Sequence, residues 1–203
     1  MNDTKQMIKN AFVLFAITLI AGVLLGFVYQ ITKEPIAYQQ QLALDKANQA
    51  VFTDATTFNE IEIDTTALSE IIASDSNYSK IDITNVLEAT DDSGNVLGYV
   101  LQLSSMGYGD DIEFALGITN DGVINGLSII SINETPGLGM NAEKVLVPQF
   151  ASKQATQFTV NKNGATSDSE ITAISGATIT SNAVTRAVNV GVAYFENVLK
   201  GGQ

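Results

Sequence analysis

The sequence predicts an α+β protein in which one N-terminal transmembrane helix precedes a domain with an antiparallel sheet and flanking helices. A long uncharged apolar run lies near the N-terminus, residues 81–132 have a period of two between glycine-containing turns, and residues 184–199 have apolar positions at helical spacing. We therefore divide the chain into residues 1–33, a cytoplasmic stub and transmembrane anchor, residues 34–80, a helical stalk and connecting segment, and residues 81–203, the domain.

The anchor is predicted from an apolar run. Between Lys9 and Lys33 lie 23 residues without a charge, and a bilayer-spanning helix needs about 20. A cleaved signal peptide is the alternative, but its apolar core is usually about 7–15 residues long and ends in a small-residue motif that residues 27–31 do not resemble. Because Lys5 and Lys9 precede the run, we expect a single-pass protein of the cytoplasmic (inner) membrane, with the N-terminus in the cytoplasm and the domain extracytoplasmic.

Charge and composition restrict the possible functions. Residues 34–203 hold seven basic and 21 acidic residues, so we expect no nucleic-acid partner; solubility and docking to a basic partner both remain open as reasons for the acidity. The chain has no Cys and no His, which excludes disulfides, Cys-ligated iron–sulfur and zinc sites, and His-dependent hydrolase triads. We predict no catalytic residue and no metal site, so redox or group-transfer chemistry requires a cofactor held by oxygen and backbone contacts.

The stalk is predicted to be a second helix with Pro35 as its first residue, continuing to about residue 53. Residues 54–80 are weakly patterned, although Asp64 and the two threonines after it can cap a short helix over residues 67–73. Residues 81–132 predict four strands in a meander. Their turns fall at residues 91–95, 106–110 and 120–122, the last with the Asp-Gly pair typical of hairpins.

Two loops have the composition of binding segments. In Glu134-Thr135-Pro136-Gly137-Leu138-Gly139 the central Pro-Gly predicts a type II turn, and two glycines around Leu138 let the backbone approach a flat ligand closely. A plain strand-to-helix loop is the other interpretation. The second loop, residues 175–181, is rich in hydroxyls and precedes an amphipathic helix, whose N-terminus presents free N–H groups to a phosphate.

An ordinary helix start is the alternative for residues 175–181, because plain caps share this composition. It explains the cap but neither Gly176 nor the additional hydroxyls. We expect Thr180, Ser181 or Asn182 to cap the helix and Gly201-Gly202 to end it.

Both loops resemble signatures of one family. Ser175-Gly176-Ala177-Thr178 resembles the flavinylation motif of covalent FMN-binding domains, and Glu134–Gly139 resembles the second signature of that family. The pair, in this order behind one N-terminal anchor, is similar to the G subunit of the Rnf electron-transport complex and to the related C subunit of the Na⁺-translocating NADH:quinone oxidoreductase. The compact length favours the Rnf protein.

The resemblance implies an electron carrier with FMN esterified through its phosphate to Thr178, with Thr180 as the fallback position. It also implies that a separate flavin transferase attaches the FMN from FAD. The family often has an acidic residue where this chain has Thr172, and the nearest acid here is Glu170. We expect Thr135 and Leu138 to contact the isoalloxazine and Tyr108 to lie near one rim. The predicted cofactor-binding residues are Ser175, Gly176, Ala177, Ile179, Thr180, Glu134, Thr135, Gly137, Leu138, Gly139 and Tyr108.

The function implied by the resemblance is electron transfer within a membrane ion-translocating ferredoxin:NAD⁺ oxidoreductase. The expected partners are the other membrane and iron–sulfur or flavin subunits, the flavin transferase and the lipid bilayer. Two alternatives remain open: the equivalent flavin subunit of a Na⁺-translocating NADH:quinone oxidoreductase, and an anchored extracytoplasmic binding module without a cofactor.

Overall fold

The computed structural model describes residues 2–200, and it divides the chain into two compact units, Met1–Ala43 and Leu44–Gln203. Helix α1 runs unbroken over Asn2–Val51 and is long and apolar enough to cross a membrane. The prediction that a second helix begins at Pro35 is wrong, because Pro35 lies inside α1. A proline removes a single backbone hydrogen bond, and long helical runs on both sides compensate for that loss. The three-part division of the chain stays a prediction.

The second unit contains a five-stranded antiparallel sheet with its strands in chain order. The predicted four-strand meander is confirmed, and an additional edge strand, β1, pairs with β2 from Thr57 opposite Thr90 to Ile61 opposite Val86. The sequence did not indicate β1, because its half-buried edge position produces no alternating pattern. The strands are β1 Thr57–Ile61, β2 Ile81–Thr90, β3 Val96–Met106, β4 Asp111–Thr119 and β5 Ile124–Ser131.

The two faces of the sheet are covered by different ends of the chain. Successive side chains of a strand point to opposite faces, so Val100 of β3 packs in the same cluster as Val51 and Phe52 at the end of α1, whereas Leu101 packs in the larger core on the other side. The end of α1 comes very close to β4, where a Cβ on Gly117 would lie 2.9 Å from Cβ of Val51. Asn48 accepts a buried hydrogen bond from Gln102 at 3.1 Å.

The remaining helices and two short strands cover the larger core. Helix α2, Thr65–Ser74, is capped by the Asp64 carboxylate, which accepts from the amides of Thr66 and Ala67; the predicted short helix is therefore confirmed. The other elements are α3 Ala142–Val145, α4 Val147–Phe150, β6 Thr159–Asn161, β7 Glu170–Thr172 and α5 Thr178–Tyr194. The sequence predicts a short strand over residues 158–160, which overlaps β6. It did not indicate β7 or the parallel pairing of the two, because each strand has only three residues.

Helix α5 begins earlier than expected. Its first residue is Thr178, and its N-cap is Ala177, whose methyl group cannot accept a hydrogen bond. The prediction of a cap at residues 180–182 is therefore wrong. The Ser181 hydroxyl instead accepts from Ile174 N and donates to Ala177 O, both at 2.9 Å. The helix continues as a π-helical turn over Phe195–Leu199. Gly201 and Gly202, expected to end it, lie outside the described residues.

The predicted apolar stripe of α5 is buried against the sheet, as the fully enclosed Val184, Ala187 and Val188 show. The α+β fold class, with one long apolar N-terminal helix, an antiparallel sheet and flanking helices, is therefore confirmed.

Candidate functional site

A cleft of about 550 Å³ lies where the two loops meet the start of α5, within the volume usual for small-molecule sites. We call it the main cleft. Its ten lining residues all belong to the set that the sequence predicts, whereas Ser175 and Gly137 of that set do not line it. The lining residues are Tyr108, Glu134, Thr135, Leu138, Gly139, Gly176, Ala177, Thr178, Ile179 and Thr180.

The first loop forms the predicted type II turn. Leu138 N donates to Thr135 O at 3.1 Å, and Gly137 at the third position of the turn has φ +76°, a conformation that favours glycine. Met140 N also donates to Thr135 O, at 3.3 Å. The turn leaves the Leu138 side chain 39% exposed at the cleft.

The second loop meets the first at a glycine. Gly176 has φ +76°, and a Cβ there would lie 2.9 Å from Cδ2 of Leu138. A side chain at this position would therefore be strained by the positive φ, and the Leu138 side chain would have to move aside. The sequence pattern identified this glycine as unusual, and the structure supplies the physical reason.

The start of α5 presents unused backbone donors to the cleft. The first intrahelical hydrogen bond runs from Ser181 N to Ala177 O, at 3.0 Å. The amides of Thr178, Ile179 and Thr180 precede it and have no carbonyl four residues back within the helix. Together with the positive end of the helix dipole, they form a site suited to a phosphate group.

Glu134 joins three separate segments beneath the cleft. Its side chain is only 6% exposed. Oε1 accepts from the amides of Tyr108, at 2.7 Å, and Gly109, at 3.2 Å, while Oε2 accepts from the Thr180 hydroxyl at 3.0 Å. The carboxylate therefore holds the β3–β4 turn, its own loop and α5 in one arrangement. The sequence indicated Glu134 as a site residue but did not indicate this bridging role.

The Glu134 carboxylate lies so close to position 139 that only glycine fits there. A Cβ on Gly139 would lie 2.7 Å from Oε2 of Glu134 and 2.8 Å from Oγ1 of Thr180. The two glycines around Leu138 suggested that a flat ligand approaches the backbone closely. At Gly139 the group that lies this close is the side chain of Glu134.

The two candidate threonines have different environments. Thr180 is fully buried and its hydroxyl is bonded to Glu134. Thr178 is partly exposed in the cleft, and its hydroxyl takes part in none of the hydrogen bonds found among the described residues. The hydroxyl of Thr178 is therefore available to a reactant in solution, whereas the hydroxyl of Thr180 is not.

Exposed apolar side chains surround the main cleft. Among the described residues from Leu44 onward, the exposed large apolar side chains are confined to five, of which Tyr108, Leu138 and Ile179 line the cleft. Met140 accepts from Glu134 N through its sulfur, and Met106 directly precedes the β3–β4 turn. The cleft therefore combines polar donors at its floor with an apolar rim.

The carboxylate of Glu170 is occupied by hydrogen bonds from other residues. Its carboxylate accepts from the amide and hydroxyl of Thr166 and from the side chain of Asn161. Hydrogen bonds from the Thr166 amide, then its hydroxyl, then Asn161 hold the pKa of Glu170 below its usual range. The nearest acid to the motif is therefore engaged with the loop between β6 and β7.

The main cleft lies in a part of the chain that matches a known domain family. The FMN-binding domain family model matches residues 107–193, which include all ten residues of the main cleft. The model for the RnfG N-terminal region matches residues 1–51. The G subunit of the Na⁺-translocating ferredoxin:NAD⁺ oxidoreductase complex of Acetobacterium woodii is 33% identical over 201 residues, which cover 98% of this chain and 96% of that protein. The chain belongs to the RnfG family.

A second G subunit is similarly close in sequence to this chain. The G subunit of the proton-translocating ferredoxin:NAD⁺ oxidoreductase complex of Clostridium ljungdahlii is 35% identical over 85% of this chain and 83% of that protein. Among solved structures, the C subunit of the Na⁺-translocating NADH-quinone reductase of Parabacteroides distasonis superposes with a TM-score of 0.50 and 23% identity, covering 59% of this chain and 64% of that chain. This last likeness shows a shared fold only.

The family assignment confirms that the chain contains an FMN-binding domain and is one component of a larger membrane complex. Helix α1, which makes up most of the region matched by the RnfG N-terminal model, is long and apolar enough to cross a membrane.

Proposed function

We propose that the chain is the electron-transfer subunit of a membrane ion-translocating ferredoxin:NAD⁺ oxidoreductase complex and that it carries covalently bound FMN in the main cleft. The observation that supports this best is that the whole cleft lies within residues 107–193, the part that matches the FMN-binding domain model. The isolated chain is an electron carrier, and the oxidoreductase activity belongs to the complex.

The residues of the cleft fit FMN. The amides of residues 178–180 and the positive end of α5 would hold the phosphate. Thr135 and Leu138 would lie along the isoalloxazine, with Tyr108 near one rim of the ring. Bound FMN would supply transfer of one or two electrons, and the chain has no Cys that could supply a redox-active disulfide instead.

Thr178 is the proposed point of attachment. Its hydroxyl is partly exposed, is first in the helix and lies beside the unused amides, whereas the Thr180 hydroxyl is buried and bonded to Glu134. A flavin transferase that uses FAD as donor would need access to the hydroxyl, and access favours Thr178. Thr180 is then a positioning residue that keeps Glu134 in place.

The test is to replace each threonine and measure covalent flavin. With Thr178→Ala, co-expressed with the flavin transferase, we expect no flavin fluorescence on a denaturing gel and no added mass of one esterified FMN in the intact chain. Thr180→Val is the matched control, because it removes the other hydroxyl at nearly constant volume, and we expect the added mass to remain. Fluorescence that survives Thr178→Ala but not Thr180→Val would reverse the assignment.

The domain is proposed to be extracytoplasmic, because Lys5 and Lys9 precede the apolar run. The chain has no native cysteine, so one cysteine placed at the exposed Ser93 gives a unique label. A maleimide that does not cross membranes should label Ser93→Cys in intact cells as fully as in lysed cells. Labelling only after lysis would place the domain in the cytoplasm instead.

A further inference from the structure

The main cleft contains one charged side chain, that of Glu134. The ten described residues that line the cleft include no lysine and no arginine. The one ion pair within 4 Å in the described part of the chain joins two other side chains, Lys200 and Glu196. A ligand in the main cleft therefore lies beside a negative charge that no neighbouring basic side chain offsets.

The contacts of the Glu134 side chain are those of an ionised carboxylate. All three of its hydrogen-bond partners donate, the amides of Tyr108 and Gly109 to Oε1 and the Thr180 hydroxyl to Oε2. An ionised carboxylate can only accept hydrogen bonds, whereas a protonated carboxyl group also has a hydrogen to donate. The arrangement therefore suits a side chain that carries a full negative charge.

The backbone around the carboxylate holds it in one position. A Cβ on Gly107 would collide with Oε1 of Glu134, and a Cβ on Gly139 would lie 2.7 Å from Oε2. Two glycines thus leave just enough room for the group, which three hydrogen bonds hold and which is only 6% exposed. The charge cannot turn away from the cleft when the net charge of a ligand changes.

The bridging role of Glu134 does not require this charge. A glutamine has nearly the same shape, its amide oxygen can accept from the two amides, and its nitrogen can donate to the Thr180 hydroxyl oxygen. Burial of an ionised carboxylate without a positive partner costs more free energy than burial of a hydrogen-bonded neutral amide. The presence of the more costly group indicates that the charge has a role of its own.

A fixed negative charge beside a flavin changes the equilibrium between its oxidised and reduced forms. Uptake of two electrons and one proton adds one negative charge to the flavin. Two like charges repel each other more strongly in a protein site than in water, because the effective dielectric constant is lower. Charged groups near the ring are one means by which a protein tunes the electronic properties of a cofactor.

We infer that the charge of Glu134 lowers the reduction potential of the flavin in the main cleft and so makes the reduced cofactor a stronger electron donor. The inference rests on the proposed function, because it requires FMN in this cleft. Glu134 then has two separable roles: its oxygen atoms position the surrounding segments through hydrogen bonds, and its charge sets the potential.

A redox titration of the flavin-loaded chain tests this inference. The full chain is co-expressed with the flavin transferase, purified in detergent and reduced at an electrode, which supplies the electrons while the buffer supplies the proton. In Glu134→Gln the ratio of reduced to oxidised flavin at a fixed potential should rise at least about tenfold, equivalent to a midpoint about 30 mV more positive for a two-electron couple. An unchanged or more negative midpoint would overturn the inference.

Two matched variants separate the charge from a structural disturbance. Thr180→Val removes a hydrogen bond of Glu134 but keeps its charge, so the midpoint should not become more positive. Glu143→Gln removes one negative charge from an exposed position of α3, where water and salt screen it, and should leave the ratio within about twofold of wild type. A rise in either variant as large as that in Glu134→Gln would contradict the role of the charge.

Covalent flavin is measured on the same samples and separates this test from the test of the proposed function. Glu134→Gln should carry the added mass of one FMN, because the hydrogen bonds around the cleft form without the charge. Loss of that mass in Glu134→Gln alone would also overturn the inference, since the charge would then be needed to build the cleft. Absence of the mass from the wild-type chain would instead contradict the proposed function.

Discussion

The main cleft and a second cavity both use residues of α5, but their buried polar groups differ. The second cavity has a volume of about 220 Å³ and is lined by α5 and by residues 158–160 at β6, and we call it the β6 cleft. In the main cleft the buried side chains bond to one another, as the Thr180 hydroxyl does to Glu134, and the unused donors are backbone amides. In the β6 cleft the hydroxyl of Thr185 is buried and lacks a partner among the described residues. The first arrangement satisfies its buried side chains, and the second leaves one buried hydroxyl unsatisfied.

The complete floor of the main cleft suits the proposed cofactor. A cofactor attached once through a covalent bond benefits from a floor whose geometry is fixed in advance, since preorganised donors need no rearrangement. Removal of a buried hydroxyl should therefore have opposite effects on stability in the two clefts.

Removal of the Glu134 carboxylate should have the largest effect. Glu134→Ala leaves two amides and the Thr180 hydroxyl without their acceptor, and we expect the free energy of unfolding to fall by about 3 kcal/mol. Denaturant unfolding of the detergent-solubilised full chain, followed by circular dichroism, measures this change. Covalent flavin should fall with it, because the three segments around the cleft separate.

Glu134→Gln is the matched control for that substitution. The amide oxygen can still accept from the β3–β4 turn, and the Thr180 hydroxyl can turn round to accept from the amide nitrogen. We expect a loss of about 1 kcal/mol or less, in line with a neutral hydrogen bond. Equal losses for Glu134→Ala and Glu134→Gln would show that the negative charge, not the hydrogen bonding, holds the cleft together.

An isosteric pair of substitutions compares the two clefts directly. Thr180→Val removes a hydroxyl that donates to Glu134 at 3.0 Å, and it should lower the free energy of unfolding by about 1–2 kcal/mol, since one lone pair of a buried carboxylate loses its donor.

The second member of the pair is Thr185→Val. It removes a hydroxyl that has no partner in the described structure and should raise the free energy of unfolding of the isolated protein by about 1 kcal/mol. The same unfolding measurement serves both variants. If Thr185→Val destabilises the protein as much as Thr180→Val does, the contrast between the clefts is wrong.

The sequence was sufficient for much of the fold because long patterns are strong signals. The apolar run of α1, the alternating strands of residues 81–132 and the helical stripe of α5 each extend over many residues, and each is confirmed. A short strand over residues 158–160 was also predicted and overlaps β6. The elements β1 and β7 were missed for the reverse reason, because they obtain their stability from neighbouring strands and not from a pattern of their own. Pro35 was misread because helix length outweighed the loss of one hydrogen bond.

At the site, the sequence indicated which residues come together but not which hydrogen bonds or backbone conformations each of them supplies. Gly137 and Gly176 were visible as glycines in loops, and their positive φ values explain them. The cap of α5 was misassigned because three consecutive hydroxyl or amide side chains compete for that role, and only tertiary contacts show that Ser181 bonds backward and Thr180 bonds to Glu134. The role of Glu134 depends on a turn 26 residues earlier in the chain.

That carboxylate gives the main cleft a particular place in the folding of the chain. Glu134 closes one loop of 26 residues to Tyr108 and another of 46 residues to Thr180. Contacts between distant parts of a chain must first overcome the entropy of closing the intervening loops, so they form later than hairpins and helices. We therefore expect the main cleft to be among the last parts of the domain to assemble. An intact cleft would then report that the turn between β3 and β4, the loop after β5 and helix α5 have all reached their final positions.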